Sequence, residues 1–156
     1  MSAEARLAAK LAELNLPLPQ APEPKGLYKS VVLAGNYAYT SGHLPVDPSG
    51  QLVTGRVGAE LDAEAGYRAA QLAALGILAS LRKELGSLDR IGRVVKILGV
   101  VNCTSDFTQQ PAVVNGCSEL FAEVFGPDRG VGARSAVGVN TLPLGVPVEI
   151  EAIFEV

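Results

Sequence analysis

Arg134 stands in a short β-type run, Gly132-Ala133-Arg134-Ser135-Ala136-Val137-Gly138-Val139-Asn140, and Glu149 and Glu151 stand in the next, Val148-Glu149-Ile150-Glu151-Ala152-Ile153. A guanidinium clamps a carboxylate through two parallel hydrogen bonds, and a glutamate nearby can take a proton from water. The two residue types together suggest a site for a small acid, working without metal or cofactor. Alternation puts Ala136 and Gly138 on the same side of the strand as Arg134, where their small side chains leave room for a ligand. Each residue also has a plainer role. A strand arginine is more often an ion-pair or interface residue, and strand glutamates more often face solvent.

Counting across the turn limits how the pair can meet. The loop Pro143-Leu144-Gly145-Val146-Pro147 centres near Gly145, so a simple hairpin sets Arg134 beside the chain end, near Val156. Glu149 is then not its neighbour. A different sheet order or a second subunit must supply the contact.

Other chemistry is sparse. His43 is the single histidine, which excludes a multi-histidine metal site within one chain. It follows Ser41-Gly42, and a local structural role outweighs catalysis there. Cys103 and Cys117 are too few for a disulfide scaffold and wrongly spaced for a metal knuckle. They read as two buried small hydrophobes. A Cys-His nucleophilic pair is formally open, but nothing in the sequence brings those residues together.

These residues need elements to hold them. Residues 3–14 are rich in helix formers, with Leu7, Leu11 and Leu14 at helical spacing. Pro17 to Pro24 follows as an extended proline-rich spacer. The first helix is thereby an appendage, packed on the domain or on a neighbouring subunit. Residues 1–24 form the added helix and connector, and 25–156 the domain proper. Tyr28–Leu33 and Tyr37–Ser41 read as strands joined at Gly35-Asn36, with a second turn at Asp47-Pro48-Ser49-Gly50. Tyr28 itself reads as core or edge packing. A long amphipathic helix spans about Ala63 to Leu85, with Asp62 as N-cap and Gly86 beyond its end. Leu72, Leu75, Leu78 or Ala79, and Leu81 or Arg82 track its inner face.

Val94–Val101 is almost continuous apolar β sequence, expected to be covered at least in part on both faces. Pro111 opens a third helix that Gly126-Pro127 ends, with Val113, Cys117, Leu120, Phe121 and Val124 inward. Gly116 beside Asn115 marks either close approach of a ligand or neighbour, or a plain helix crossing. The last strands are about 133–141 and 147–155. The order β-β-α-β-α-β-β, with hairpins at each end, indicates an α+β layer: one mixed sheet with two long helices on one face. The other face is solvated or buried in an oligomer. On this pattern Arg134 and Glu149 both lie on the face away from the helices.

The chain of 156 residues is 48% hydrophobic and 19% charged, with net charge −3, which excludes a disordered chain. No apolar run approaches the ~18 residues of a membrane span. The N-terminus lacks the basic and apolar regions of a secretory signal, so a cytoplasmic location is expected. The absence of a basic run disfavours nucleic acid as a partner.

At these residues the chain resembles the RidA-type (YjgF-like) reactive-intermediate deaminases, also labelled L-PSP endoribonucleases. The likeness rests on Tyr28, on Tyr39-Thr40-Ser41-Gly42-His43-Leu44-Pro45-Val46, on Asp106-Phe107 through Asn115, on Ala133-Arg134-Ser135 with Leu142-Pro143, and on Val148-Glu149-Ile150-Glu151-Ala152. The resemblance implies a chorismate-mutase-like fold and a homotrimer whose sheets line a central barrel, with sites between subunits. It implies that Arg134 binds the substrate carboxylate and that Glu149 orients or activates water. Tyr28, Ser41, Asn115 and Ala136 line the pocket, and Gly42 offers a backbone contact. The implied reaction is hydrolysis of a 2-imino or 2-enamino acid to a 2-keto acid and ammonia. A trimer that binds small carboxylates without turnover is the second reading, and the ribonuclease of the older label ranks last.

The chain also departs from the familiar pattern. Ala136 stands where the best-known deaminases carry cysteine, Leu27 where proline is familiar, and the loop before Asn115 is longer. With residues 1–24, these features mark a longer branch.

Overall fold

The computed structural model describes residues 1–156. Its order is α1 (Ala3–Leu14), β1 (Val31–Ala34), β2 (Tyr37–Thr40), α2 (Ala63–Leu85), β3 (Arg93–Asn102), α3 (Gln110–Phe125), β4 (Ala133–Val139) and β5 (Val148–Glu155). This is the expected α+β succession. Ser2 caps α1 through its side chain, and Asp62 caps α2 by accepting from the Ala65 N–H. Gly86 ends α2 in the left-handed region at φ 83°, which a side chain would oppose.

The five strands form one mixed sheet in the order β1-β2-β5-β3-β4. β4 runs parallel to β3, and β5 runs antiparallel to it. The chain therefore does not close a hairpin between its last two strands, as the sequence pattern suggested. β3 takes the place between them. α3 supplies the crossover that a parallel β3–β4 pair requires.

Phe121, Phe125 and Phe154 meet at ring-centroid distances of 5.4–6.2 Å and hold α3 against β5. The inward residues expected for α3 are all buried, as are Leu75, Leu78 and Leu81 of α2. α1 packs onto this same domain. Leu7 is buried in the core, Lys10 pairs with Glu123 at 2.8 Å, and Glu4 accepts from the Leu88 N–H at 2.9 Å.

Gly116 marks a helix crossing. A Cβ there would lie 2.0 Å from the Tyr67 carbonyl oxygen, so α2 and α3 touch backbone to backbone. The sheet's other face is uncovered in the single chain. Val32, Tyr37, Tyr39 and Val137 are exposed there. β3 is thus roofed on one face only, with Leu98 and Val100 half-buried on the other.

Candidate functional site

The predicted site residues gather into two clusters. The first is built on β4 and α3. Arg134 lies one strand position from the start of β4, paired with buried Ile97 of β3, so its side chain rises toward the helices. Asn115 and Ser118 stand one turn apart on α3 and face it together. Nη1 of Arg134 donates to Asn115 Oδ1 at 2.7 Å and to Ser118 Oγ at 3.2 Å. No carboxylate of the chain lies within ion-pairing distance of this half-buried guanidinium. A partly buried guanidinium held only by neutral acceptors keeps its charge available to an anion beside it.

Ala136 and Gly138 follow on the same side, and the space beside Gly138 is smaller than expected. Ala136 packs against the core. A Cβ on Gly138 would lie 2.8 Å from both Cys103 Sγ and Gln110 Nε2, so residues already in place fill that position.

The second cluster is built on β5 and the segment after β2. Glu149 alternates with buried Val148 and Ile150, so its side chain projects from the face away from the helices. Gly42 sits against it. A Cβ on Gly42 would lie 2.7 Å from Glu149 Cδ and 3.0 Å from Oε1. Paired backbone bonds between His43 and Ile150, at 2.7 and 3.1 Å, fix that approach. Ser41 Oγ donates to the Lys29 carbonyl at 2.5 Å, tying the cluster to the segment before β1. Partial burial, with the Glu151 carboxylate nearby, holds the Glu149 carboxyl above the ordinary glutamate range. Tyr28 lies in a bend before β1, not in the strand, and is 52% exposed, so it is not a core residue.

The two clusters therefore stand on opposite faces, where the strand alternation had set Arg134 and Glu149 on one. The pairing suggested by sequence proximity is not formed within the chain. β3 separates β4 from β5, and Arg134 lies in the row of Ala152, three residues along from Glu149. That is ~10 Å across two strand spacings and ~10 Å along the strand. The alternation within each strand is correct. Which side of β4 meets the helices depends on the β3–β4 pairing, which the local pattern does not reveal.

His43 has the structural role expected of it. It is buried, with Nδ1 2.7 Å from the Ser41 carbonyl and Nε2 2.8 Å from Ser80 Oγ. A carbonyl can only accept, so Nδ1 carries the proton and Nε2 accepts from Ser80. Burial holds the ring below the ordinary histidine range. Cys103 and Cys117 are buried free thiols, and burial pushes the Cys117 thiol far up. No group of three His, Cys, Asp or Glu side chains converges on a common point. No helix is long and apolar enough to cross a membrane. Ser118 had no signal of its own in the sequence, beyond its place three residues after Asn115.

Residues 4–149 match the family model described as "YjgF/chorismate_mutase-like, putative endoribonuclease". The chain belongs to the YjgF/RidA-like family. Among its relatives is the Trypanosoma cruzi protein TCP17, 42% identical over 98% of this chain and 96% of that one. The 2-iminobutanoate/2-iminopropanoate deaminase of Escherichia coli is 35% identical over 85% of this chain and 90% of that one. The crystal structure of Atu1372 from Agrobacterium tumefaciens superposes with a TM-score of 0.89 at 40% identity, covering 99% of this chain and 94% of that one. In this YjgF/RidA-like chain, both clusters lie within the matched residues 4–149.

Proposed function

We propose that the protein hydrolyses reactive 2-imino and 2-enamino acids to 2-keto acids and ammonia. The observation that carries this reading is Arg134, half-buried, held by two neutral acceptors and without an internal counter-ion. A 2-imino acid supplies the missing carboxylate. The relatives named as 2-iminobutanoate/2-iminopropanoate deaminases support the same substrate class.

In this reading Arg134 anchors the carboxylate, while Tyr28, Ser41, Asn115 and Ala136 bound the pocket. Glu149 holds a water against the imine carbon and takes its proton as the C–O bond forms. As the C=N π bond breaks, the imine nitrogen takes a proton from solvent. The carbinolamine nitrogen then takes the proton held by Glu149 and leaves as ammonia, while the hydroxyl proton is lost to solvent and the C–O bond becomes the carbonyl. A 2-enamino acid first tautomerises to the imine. No metal or cofactor enters the scheme. Since the two clusters lie on opposite faces of one sheet, a second subunit brings Glu149 to Arg134. The assembly proposed is a homotrimer with inter-subunit sites, its sheets facing a central barrel. The uncovered face with Val32, Tyr37, Tyr39 and Val137 supports such burial.

Turnover of 2-iminopropanoate, generated in situ and read as ammonia or pyruvate release, tests the reaction. Arg134→Ala should abolish it, and full activity in that variant would overturn the assignment. One observation favours a second reading, binding of small carboxylates without hydrolysis: the Arg134 cluster is complete within a single chain, whereas the Glu149 contact is not. Saturable pyruvate binding with no imine turnover would establish that reading instead.

A further inference from the structure

We propose that Ser118 is a positioning residue, which with Asn115 immobilises Nη1 of Arg134 and so selects the Nε/Nη2 edge of the guanidinium as the one that receives a carboxylate. The inference rests on the reading of Arg134 as the carboxylate anchor and deepens it.

A guanidinium carries five N–H groups, one on Nε and two on each Nη. Both hydrogen bonds from Arg134 leave the same nitrogen, Nη1, and end on Asn115 Oδ1 and Ser118 Oγ. With two acceptors on Nη1, the end-on fork, which needs a free hydrogen from each Nη, loses to them the space beside that nitrogen. The side-on fork, formed by the Nε hydrogen and the adjacent Nη2 hydrogen, stays open. It has the parallel geometry that matches the two oxygens of a carboxylate.

One acceptor would not achieve this. A single bond to Asn115 leaves the guanidinium plane free to pivot about the Nη1···Oδ1 line. The second acceptor, from the next turn of the same helix, removes that freedom. Ser118 is half-buried, and α3 is held by the buried Phe121 and Phe125, so both acceptors are fixed by the core. The side chain that orients the substrate is in this way fixed by a helix that carries no reacting group.

The test uses the full chain with pyruvate as probe, following the Arg134 side-chain N–H resonances by NMR together with the pyruvate Kd. Pyruvate should shift the Nε and Nη2 signals of Arg134 and leave Nη1 in place. Ser118→Ala should weaken pyruvate binding about tenfold, the usual weight of a hydrogen bond to a charged group, and speed rotation of the guanidinium at an unchanged Tm. Ser118→Thr should restore both properties. A Kd in Ser118→Ala within twofold of the parent, or a pyruvate shift confined to Nη1, would overturn the proposal. So would a parent protein that binds no pyruvate. Pyruvate binding of the expected pattern without imine turnover would sink the deaminase reading alone. Imine turnover with a silent Ser118→Ala would sink this inference alone.

Discussion

Glu149 has its carboxyl against a glycine that has no room for a side chain. Gly42→Ala places a methyl 2.7 Å from Glu149 Cδ, and the carboxyl, at the end of a flexible side chain, is the part that yields. The fold should tolerate the change within ~1 kcal/mol, while misplacing the base by about an ångström costs on the order of 10²-fold in rate. Steady-state kinetics beside a melting curve separates the two effects. A Glu149 acting as base must be ionised, and its carboxyl is held above the ordinary 4.5 by burial first and by Glu151 second. The acid limb of kcat/KM should therefore fall above pH 4.5, and Glu151→Gln should move it to lower pH. A limb that stays put in Glu151→Gln would remove Glu149 as the titrating group. The residue types were legible from the start: Arg134, Glu149, Gly42 and Asn115 could all be named from the chain. Their contacts could not, since the Arg134–Ser118 bond needs Arg134 on the helix side of the sheet, opposite to the side the strand pattern gave it.

At the level of elements, the crossing of α2 and α3 at Gly116 seats the helix that carries Asn115 and Ser118. Alanine at position 116 would gain ~1 kcal/mol of helix propensity over glycine. Its Cβ would also lie 2.0 Å from the Tyr67 carbonyl oxygen, which belongs to backbone and cannot turn aside. Overpacking of this kind costs about 1–3 kcal/mol or more, so Gly116→Ala should lower stability by about 2 kcal/mol in urea denaturation. The helix periods and caps were readable because they are local: Asp62, Gly86 and the α3 stripe needed no partner to be recognised. The β3–β4–β5 arrangement was not. The short loop from 140 to 147 looks like a hairpin connection, and only the crossover through α3, with β3 free on both edges, shows why β4 docks parallel to β3.

Over the whole molecule, His43 ties stability to pH. Its folded pKa is lowered below the ordinary 6.5, chiefly by burial. The unfolded chain therefore binds more protons than the native one between those two values. The stability contributed by the neutral ring is present above pH 6.5 and is lost as pH falls below it. Denaturation at pH 7.5 and pH 5.0 should show that loss, and His43→Gln should reduce it. Sedimentation checks the proposed assembly: the parent should run as a trimer, and Val137→Asp, on the uncovered face, should lower that mass. The placement of Arg134 and Glu149 on opposite faces of one sheet has a consequence for mixtures of damaged chains. In the proposed homotrimer, Arg134→Ala and Glu149→Gln proteins, each expected to lose most or all activity alone, carry complementary lesions. Unfolded together in equal amounts and refolded, they would form rings in which about a quarter of the junctions join an intact arginine to an intact glutamate. Two dead proteins would then recover activity in one tube, as no site contained within a single chain could do.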